Sequence, residues 1–338
     1  MTPDAVHATP QAVATNPESR LMHAEALERQ GRHGDALLAY FRAITESQRQ
    51  GRWLDKATTP PELLDRVTRA MRYVKAGRRR AFEALLEPIV TRHGRAALGR
   101  FADCLAVQVG ERRAMSADPR QRPSFLYFPG LPSVPYFDRS TVPWADALEK
   151  ATGDIREELS AILCRSGHGE RVFADDAAES RGLGSDRGAP EWTGFYFYRH
   201  GERRDDAHAA CPRTSAVLES LPLCRIREHA PEVMFSVLTP GTHILPHRGV
   251  TNTRAVCHLP LVVPENCALV VGGEEHVWQE GRAVVFDDTF EHEAWNRGLR
   301  TRVVLIIDVW NPHLTQAERD AVTVLVEAIG NFNRAAAV

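Results

Sequence analysis

The chain has no run of about 18 apolar residues, the length a helix needs to span a bilayer. No membrane anchor is expected. The opening residues, MTPDAVHATPQAVATNPESR, contain no apolar h-region, so the expectation is a protein without a secretory leader. Neither sign of charge dominates. Lys and Arg total 42, Asp and Glu total 44, and the net charge is −2. That balance argues against nucleic acid as a partner held on a broad basic surface. The run Arg78, Arg79, Arg80 is local and reads as a solvated helix face. No two of the six cysteines (Cys104, Cys164, Cys211, Cys224, Cys257, Cys267) have C-x-x-C spacing, so zinc and dithiol redox motifs are not indicated. They read as free thiols of a reducing compartment, which makes the expected location cytoplasmic.

What is present is enough for two or three domains: 338 residues, 43% hydrophobic and 25% charged. Residues 1–18 are rich in Pro, Ala and Thr without a period and are expected to be disordered. From Leu21 the spacing becomes helical. Gly31 and Gly34 break HAEALERQGRHGDALLAYFRAITES into a helical hairpin. Ala24, Leu27, Gly31, Ala36, Tyr40 and Ala43 fall in a tetratricopeptide-like pattern. One such unit cannot bury its apolar face alone, so it must stack on following helices, expected at 61–75, 78–94 and 96–110. Residues 19–115 thus read as a helical, tetratricopeptide-like domain with no chemistry of its own.

SFLYFPGLPSVPYFDRSTVPW, at 124–144, has many prolines and aromatics and few charges, and reads as an ordered apolar connector. A helix is expected at 145–164, and a long polar loop at 166–191. From Trp192 the period becomes two. Strands are expected near 192–202, 232–239, 254–263, 267–271, 282–287 and 302–309, and a C-terminal helix at 314–338. Strands with tight returns suggest an antiparallel sandwich or small barrel over 120–320, which makes the whole chain α+β.

The chemistry-bearing residues gather near the strand ends. In PGTHILPHRG, His247 follows a strand after a proline-bearing turn that also holds His243. In FDDTFEHEAWN, His292 follows another strand, and Arg302 opens the last long one. Two neutral imidazoles suit Fe(II) with open positions, and a guanidinium matches a carboxylate in two hydrogen bonds. Period-two parity puts Arg254, Val256 and His258 on one face, and Arg302, Val304, Ile306 and Asp308 on one face. Ser236, His258 and Arg302 would be costly to bury unless a polar ligand paired them. A bland reading stands beside this one. A turn histidine is commonly a surface residue, and an arginine opening a strand is commonly an exposed ion-pair former. Any of Asp287, Asp288, Glu291 and Glu293 around His292 could supply a carboxylate ligand, and a solvated turn is the reading preferred for them.

Taken together, SVLTPGTHILPHRGVTNTRAVCHLPLVVP, WQEGRAVVFDDTFEHEAWN and RVVLIIDVWNP resemble the aspartyl/asparaginyl β-hydroxylase family. FLYFPGLPSVPYFD and WTGFYFYRHGE extend the likeness more weakly. The resemblance implies a double-stranded β-helix (jelly-roll, cupin-like) catalytic domain behind the helical one. It implies Fe(II) as metal, with 2-oxoglutarate and O2 as co-substrates. It carries over His247 and His292 as the iron ligands, and Arg302 and Ser236 as the residues on the distal 2-oxoglutarate carboxylate. His258 falls at the metal-binding end of that co-substrate, and Arg254 towards a substrate carboxylate. Val256 stands where the family pattern has a second arginine. Gly249 replaces the carboxylate that the wider superfamily places two residues after the first histidine. The implied reaction is hydroxylation of an unactivated C–H, such as the β-carbon of Asp or Asn in a peptide or protein, with release of succinate and CO2. Alternatives are hydroxylation of a lipid acyl chain or a free amino acid, iron-dependent halogenation at the vacated position, and a non-catalytic binding module.

Overall fold

The computed structural model describes residues 16–164, 170–172, 182–185 and 191–337. Of the stretch 1–18 expected to be disordered, residues 1–15 lie outside the described residues, as does most of the 166–191 loop; Pro17 and Glu18 open a helix instead. The chain divides into two compact units. One comprises residues up to 95, 105–112 and from 324 on; the other comprises 96–104 and 113–323.

In the first unit, α1 (Pro17–Arg29) begins where the Asn16 side chain accepts a hydrogen bond from the Glu18 N–H, 3.0 Å. Gly31, at φ +74°, turns the chain into α2 (His33–Arg49). Leu21, Ala24, Leu27, Ala36, Tyr40 and Ala43 are buried against Val67, Ala70 and Val74 of α3 (Leu64–His93). Two helices were expected over this last stretch, and one continuous helix is found. Gly77 does not break it; a Cβ there would come within 2.6 Å of Leu37, so glycine serves close packing. The helix α4 (Gly99–Gln108) follows.

The second unit continues with α5 (Ala145–Lys150) and α6 (Thr152–Leu163), the short strands β1 (Glu170–Arg171) and β2 (Leu183–Ser185), β3 (Trp192–Arg199), β4 (Glu202–Arg203), α7 (Asp205–Ala210) and α8 (Pro212–Glu219). Eight strands come next: β5 (Val233–Leu238), β6 (Thr242–His247), β7 (Arg254–Val262), β8 (Cys267–Val271), β9 (Glu274–His276), β10 (Val284–Phe286), β11 (His292–Asn296) and β12 (Arg302–Trp310). The final helix is α9 (Gln316–Ala336).

These strands form two antiparallel sheets. One runs β1-β3-β5-β12-β7-β10 with β4 on β3, and the other β2-β6-β11-β8-β9. Alternate residues of β7 and β12 serve two cores. Cys257, Leu259, Val303, Leu305 and Ile307 face Leu148, Ile155, Leu159 and Leu218 of the helices. Val256 and Val304 turn the other way and pack with Ile244, Leu269 and Ala294 of the second sheet. A buried Val, Leu or Ile contributes about 1.5–3 kcal/mol. A one-residue slip of β12 would trade several of them for Arg302 and Asp308, so burial fixes the register that aims those polar groups between the sheets.

The turn expected around His243 and His247 is instead strand β6. His243 pairs with Trp295 and His247 with His292 across the ladder to β11, which was also unforeseen.

Candidate active site

His247 ends β6 and His292 begins β11, directly opposite each other, with ring centroids 4.1 Å apart. Each ring is tied by its Nδ1 to a carbonyl two residues earlier: His247 to Leu245 at 2.9 Å, His292 to Phe290 at 3.1 Å. A carbonyl cannot donate, so Nδ1–H is the donor in both rings. That tautomer turns the Nε2 lone pair of each ring away from these carbonyls, where a metal could take it; the Asp288 backbone also lies close to the His292 ring. Burial, and after it the neighbouring His247, pushes His292 down to about 4, which keeps its imidazole neutral at physiological pH. Among the described residues no third His, Cys, Asp or Glu joins the pair closely enough to complete a ligand set.

Gly249 follows His247 by two residues. Its N–H donates to the Asp288 carbonyl at 2.6 Å, and a Cβ built on it would overlap the Asp288 carboxylate. The carboxylate at this spot therefore comes from position 288, across the turn. Asp288 is 4% exposed and Asp287 is fully buried, so the solvated-turn reading fails for both. Glu291 is exposed and pairs with Arg248; Glu293 pairs with His243. The Asp288 Oδ1 is buried without a hydrogen-bond partner, and its Oδ2 accepts from Arg254 Nη2 at 3.1 Å. Arg254 Nη1 donates to Asp308 at 2.7 Å. Burial works against the Arg254 charge, but Asp308 and Asp288 outweigh it and hold the guanidinium ionised. Both of its terminal nitrogens are thus engaged with carboxylates of the protein.

The other end of the interior is lined from the first sheet. Arg302 is 1% exposed. Its Nη1 donates to Ser236 Oγ at 3.2 Å, and the guanidinium carbon lies 4.9 Å from the Trp278 ring centroid. Among the described residues no Asp or Glu forms an ion pair with it, and burial pulls it down to about 10. Ser236 Oγ also accepts from Trp192 Nε1 at 2.8 Å. Three nitrogens here are buried without a hydrogen-bond partner: Arg302 Nε, His258 Nδ1 and Trp278 Nε1. Burial and then Arg302 drive His258 well below its usual value, so it stays neutral. The rings touch in sequence across the interior. His292 lies 5.6 Å from Phe286, Phe286 5.0 Å from His258, and His258 5.8 Å from Trp278.

The structure therefore gathers His247, His292, Ser236, His258 and Arg302 between two sheets, with Arg254 joined to them through Asp288. From the sequence Asp288 is a possible carboxylate ligand for which a solvated turn is preferred, and Trp278 carries no signal. An orphaned indole inside a buried cluster has no signature in one sequence.

Two facing sheets, a histidine pair and a buried guanidinium without a carboxylate define a class: a two-sheet domain whose interior has a metal-competent end and an anion-competent end. Residues 149–312 match the family model described as aspartyl/asparaginyl beta-hydroxylase, and this domain belongs to that family. Similar proteins include aspartate beta-hydroxylase domain-containing protein 2 of Mus musculus, 36% identical over 213 residues that cover 62% of this chain and 60% of that protein. Human aspartyl/asparaginyl beta-hydroxylase is 32% identical over 219 residues, 63% of this chain and 27% of that one. Ornithine lipid ester-linked acyl 2-hydroxylase of Rhizobium tropici is 36% identical over 190 residues, 55% of this chain and 64% of that one. The chain thus spans less than two thirds of the length of each.

Proposed function

We propose that the protein is an Fe(II)- and 2-oxoglutarate-dependent dioxygenase. The observation that carries this reading is Arg302, a buried guanidinium without a counter-ion beside two further orphaned nitrogens. Burying a charge alone is costly, and a carboxylate arriving there would remove the cost. The alternation of successive strands between two sheets, from β5 to β8 and again from β10 to β12, supports reading the fold as a double-stranded β-helix. The tetratricopeptide-like character of the helical unit and a cytoplasmic location belong to the same proposal.

The residues present fit the two groups. His247 and His292 would hold the metal through Nε2. Arg302 and Ser236 would hold the distal carboxylate of 2-oxoglutarate, with Trp278 and His258 donating from the side. Bound there, iron with 2-oxoglutarate and O2 supplies the oxidising power to hydroxylate an unactivated C–H, leaving succinate and CO2. The protein's own part is positional. Carbonyls 245 and 290 fix the imidazole planes, and Asp288, its Oδ1 free, can accept a hydrogen bond from water held beside the histidines. The Phe286 and Val256 side chains keep the space between the two ends apolar.

The substrate we propose is an Asp or Asn side chain in a peptide or protein. One observation favours a second reading. Arg254 is engaged with Asp288 and Asp308, and Val256 beside it is apolar, so this wall offers no unpaired terminal guanidinium nitrogen for a substrate carboxylate. An uncharged group, the Asn amide or an acyl chain of the kind named for the Rhizobium relative, fits that wall better.

The test needs no substrate. Fe(II) and then 2-oxoglutarate are added to the purified protein without oxygen, beside the His247→Ala, His292→Ala and Arg302→Ala variants. A visible charge-transfer band in the wild type, lost in the histidine variants, is expected. No band, with calorimetry showing no metal uptake, overturns the reading in favour of a binding module.

A further inference from the structure

The segment 116–136, read from the sequence partly as a connector, lies along the loops that bear the histidines. Phe125 N–H and Leu126 N–H both donate to the Val250 carbonyl, next to Gly249, at 2.9 and 3.2 Å. Arg122 N–H donates to the Thr289 carbonyl at 3.0 Å, and the Pro135 carbonyl accepts from Asp287 N–H at 3.0 Å. Arg120 Nη1 donates to the Gly272 carbonyl at 2.6 Å, just past the Val271 that pairs with His292.

One side chain of this strap reaches the turn itself. Gln121 is 4% exposed, and its Nε2 donates to Asp287 Oδ2 at 2.5 Å. Its Oε1 accepts from Ser116 Oγ at 2.6 Å and Ser133 Oγ at 3.0 Å; a hydroxyl can donate or accept, so it is the carboxylate, an acceptor only, that sets the amide's orientation. The other Asp287 oxygen accepts from Thr289 N–H at 2.9 Å and Thr289 Oγ1 at 2.5 Å. The Asp287 carbonyl accepts from Phe290 N–H at 3.3 Å, and the Phe290 carbonyl is the one that orients His292. The next residue, Asp288, takes the Gly249 N–H, two residues from His247. A shift of Asp287 is therefore passed to both histidines and to the carboxylate beside them.

We infer that Gln121 is a positioning residue of the metal site: held between Ser116 and Ser133, it clamps Asp287 and so holds the turn that presents Asp288 and His292. This rests on the oxygenase reading above. Outer hydrogen-bond partners of metal ligands typically cost about 10- to 100-fold in metal affinity when removed. The Gln121→Ala, Asp287→Asn and Asp287→Ala full-length chains are titrated with Co(II) and with Fe(II) under argon. Thermal melts without metal and long-range 1H–15N spectra of the histidine rings run beside them. For Gln121→Ala, an affinity loss of about tenfold is expected, with a mixed His292 tautomer in the metal-free spectrum and a folded melt. Asp287→Asn keeps a partner for both Gln121, by amide reversal, and Thr289. It should retain near-wild-type affinity where Asp287→Ala does not. Wild-type affinity and a single tautomer in Gln121→Ala overturn the inference. So does a Gln121→Ala chain that fails to fold, or an Asp287→Asn chain as impaired as Asp287→Ala, since either marks the contact as structural support alone. A wild type that takes up neither metal sinks the oxygenase reading itself, and the inference with it.

Discussion

A side chain at position 249 and the carboxylate of Asp288 claim the same space. The glycine is therefore required by crowding, and the site lacks a ligand two residues after His247 because a carboxylate from across the turn already stands there. Gly249→Ala is expected to cost about 1–3 kcal/mol, the usual penalty of overpacking a close-fitted interior, and to weaken metal binding as Asp288 is displaced. Gly249→Asp alone should not build a three-ligand site. Gly249→Asp with Asp288→Gly should recover metal affinity lost by Gly249→Asp. Urea unfolding and metal titration of the three chains check this; a single Gly249→Asp chain with tightened metal binding would refute the crowding argument.

Arg302 should behave as a ligand-binding group held at the expense of stability. Without 2-oxoglutarate, Arg302→Met is expected to melt no lower than the wild type, because an uncompensated buried charge is exchanged for an apolar chain of similar length. With 2-oxoglutarate and a redox-inert divalent metal at about 100 times the dissociation constant, the wild type should gain about 2.7 kcal/mol. Arg302→Met should lose most of that gain. Scanning calorimetry with and without the co-substrate separates the two effects.

Asp287 carries a sign that can be read in pH. Burial raises it to about 6, against the pull of Thr289 and Gln121. A carboxyl raised in the folded state contributes stability below its unfolded value near 4, and loses it as pH rises through about 6. Metal-free Asp287→Asn avoids that loss. It should therefore be at least as stable as the wild type at pH 8, with its relative advantage declining as pH falls below about 6. Melts at pH 8, 6 and 4 test the trend.

Glu158 has the opposite sign. It accepts from Arg213 N–H and Thr214 N–H, each at 2.8 Å, and from Thr214 Oγ1 at 2.7 Å, and so caps the start of α8 from α6. Burial acts to raise it, but these hydrogen bonds and Arg213 outweigh burial and lower it. Its stabilisation is present above the unfolded value near 4.3 and is lost as pH falls through the folded one. Glu158→Gln should cost about 1–2 kcal/mol at pH 7, as loss of a helix cap does, and much less near pH 3.

Where burial and period coincide, the sequence is readable. β5, β7, β8, β10 and β12 carry runs such as VMFSVL and RVVLIIDVW, and the expected strands overlap them. β6 and β11 escaped because THILPH and HEAWN are short, hold a proline or charged residues, and leave His243 and Glu293 on the face away from the core. Asp287 and Asp288 were misplaced for a different reason. FDDTFEHE looks solvated because four of its eight residues are acidic, and what buries Asp287 is Gln121, 166 residues earlier. No local pattern reports a contact of that span. Gly77 misled in the same way, since its partner Leu37 lies on another helix.

The strap at 116–136 also separates two ideas of what a domain is. The stretch that matches the family, 149–312, contains both histidines, Ser236, His258 and Arg302. It contains none of the residues from 120 to 135 that bond to their loops. A fragment trimmed to the match would keep both histidines and the buried guanidinium and lose the strap bonded to their loops. The strap and the loops it clasps stand 152 and 166 residues apart along the chain, so no fragment that lacks either can close these contacts.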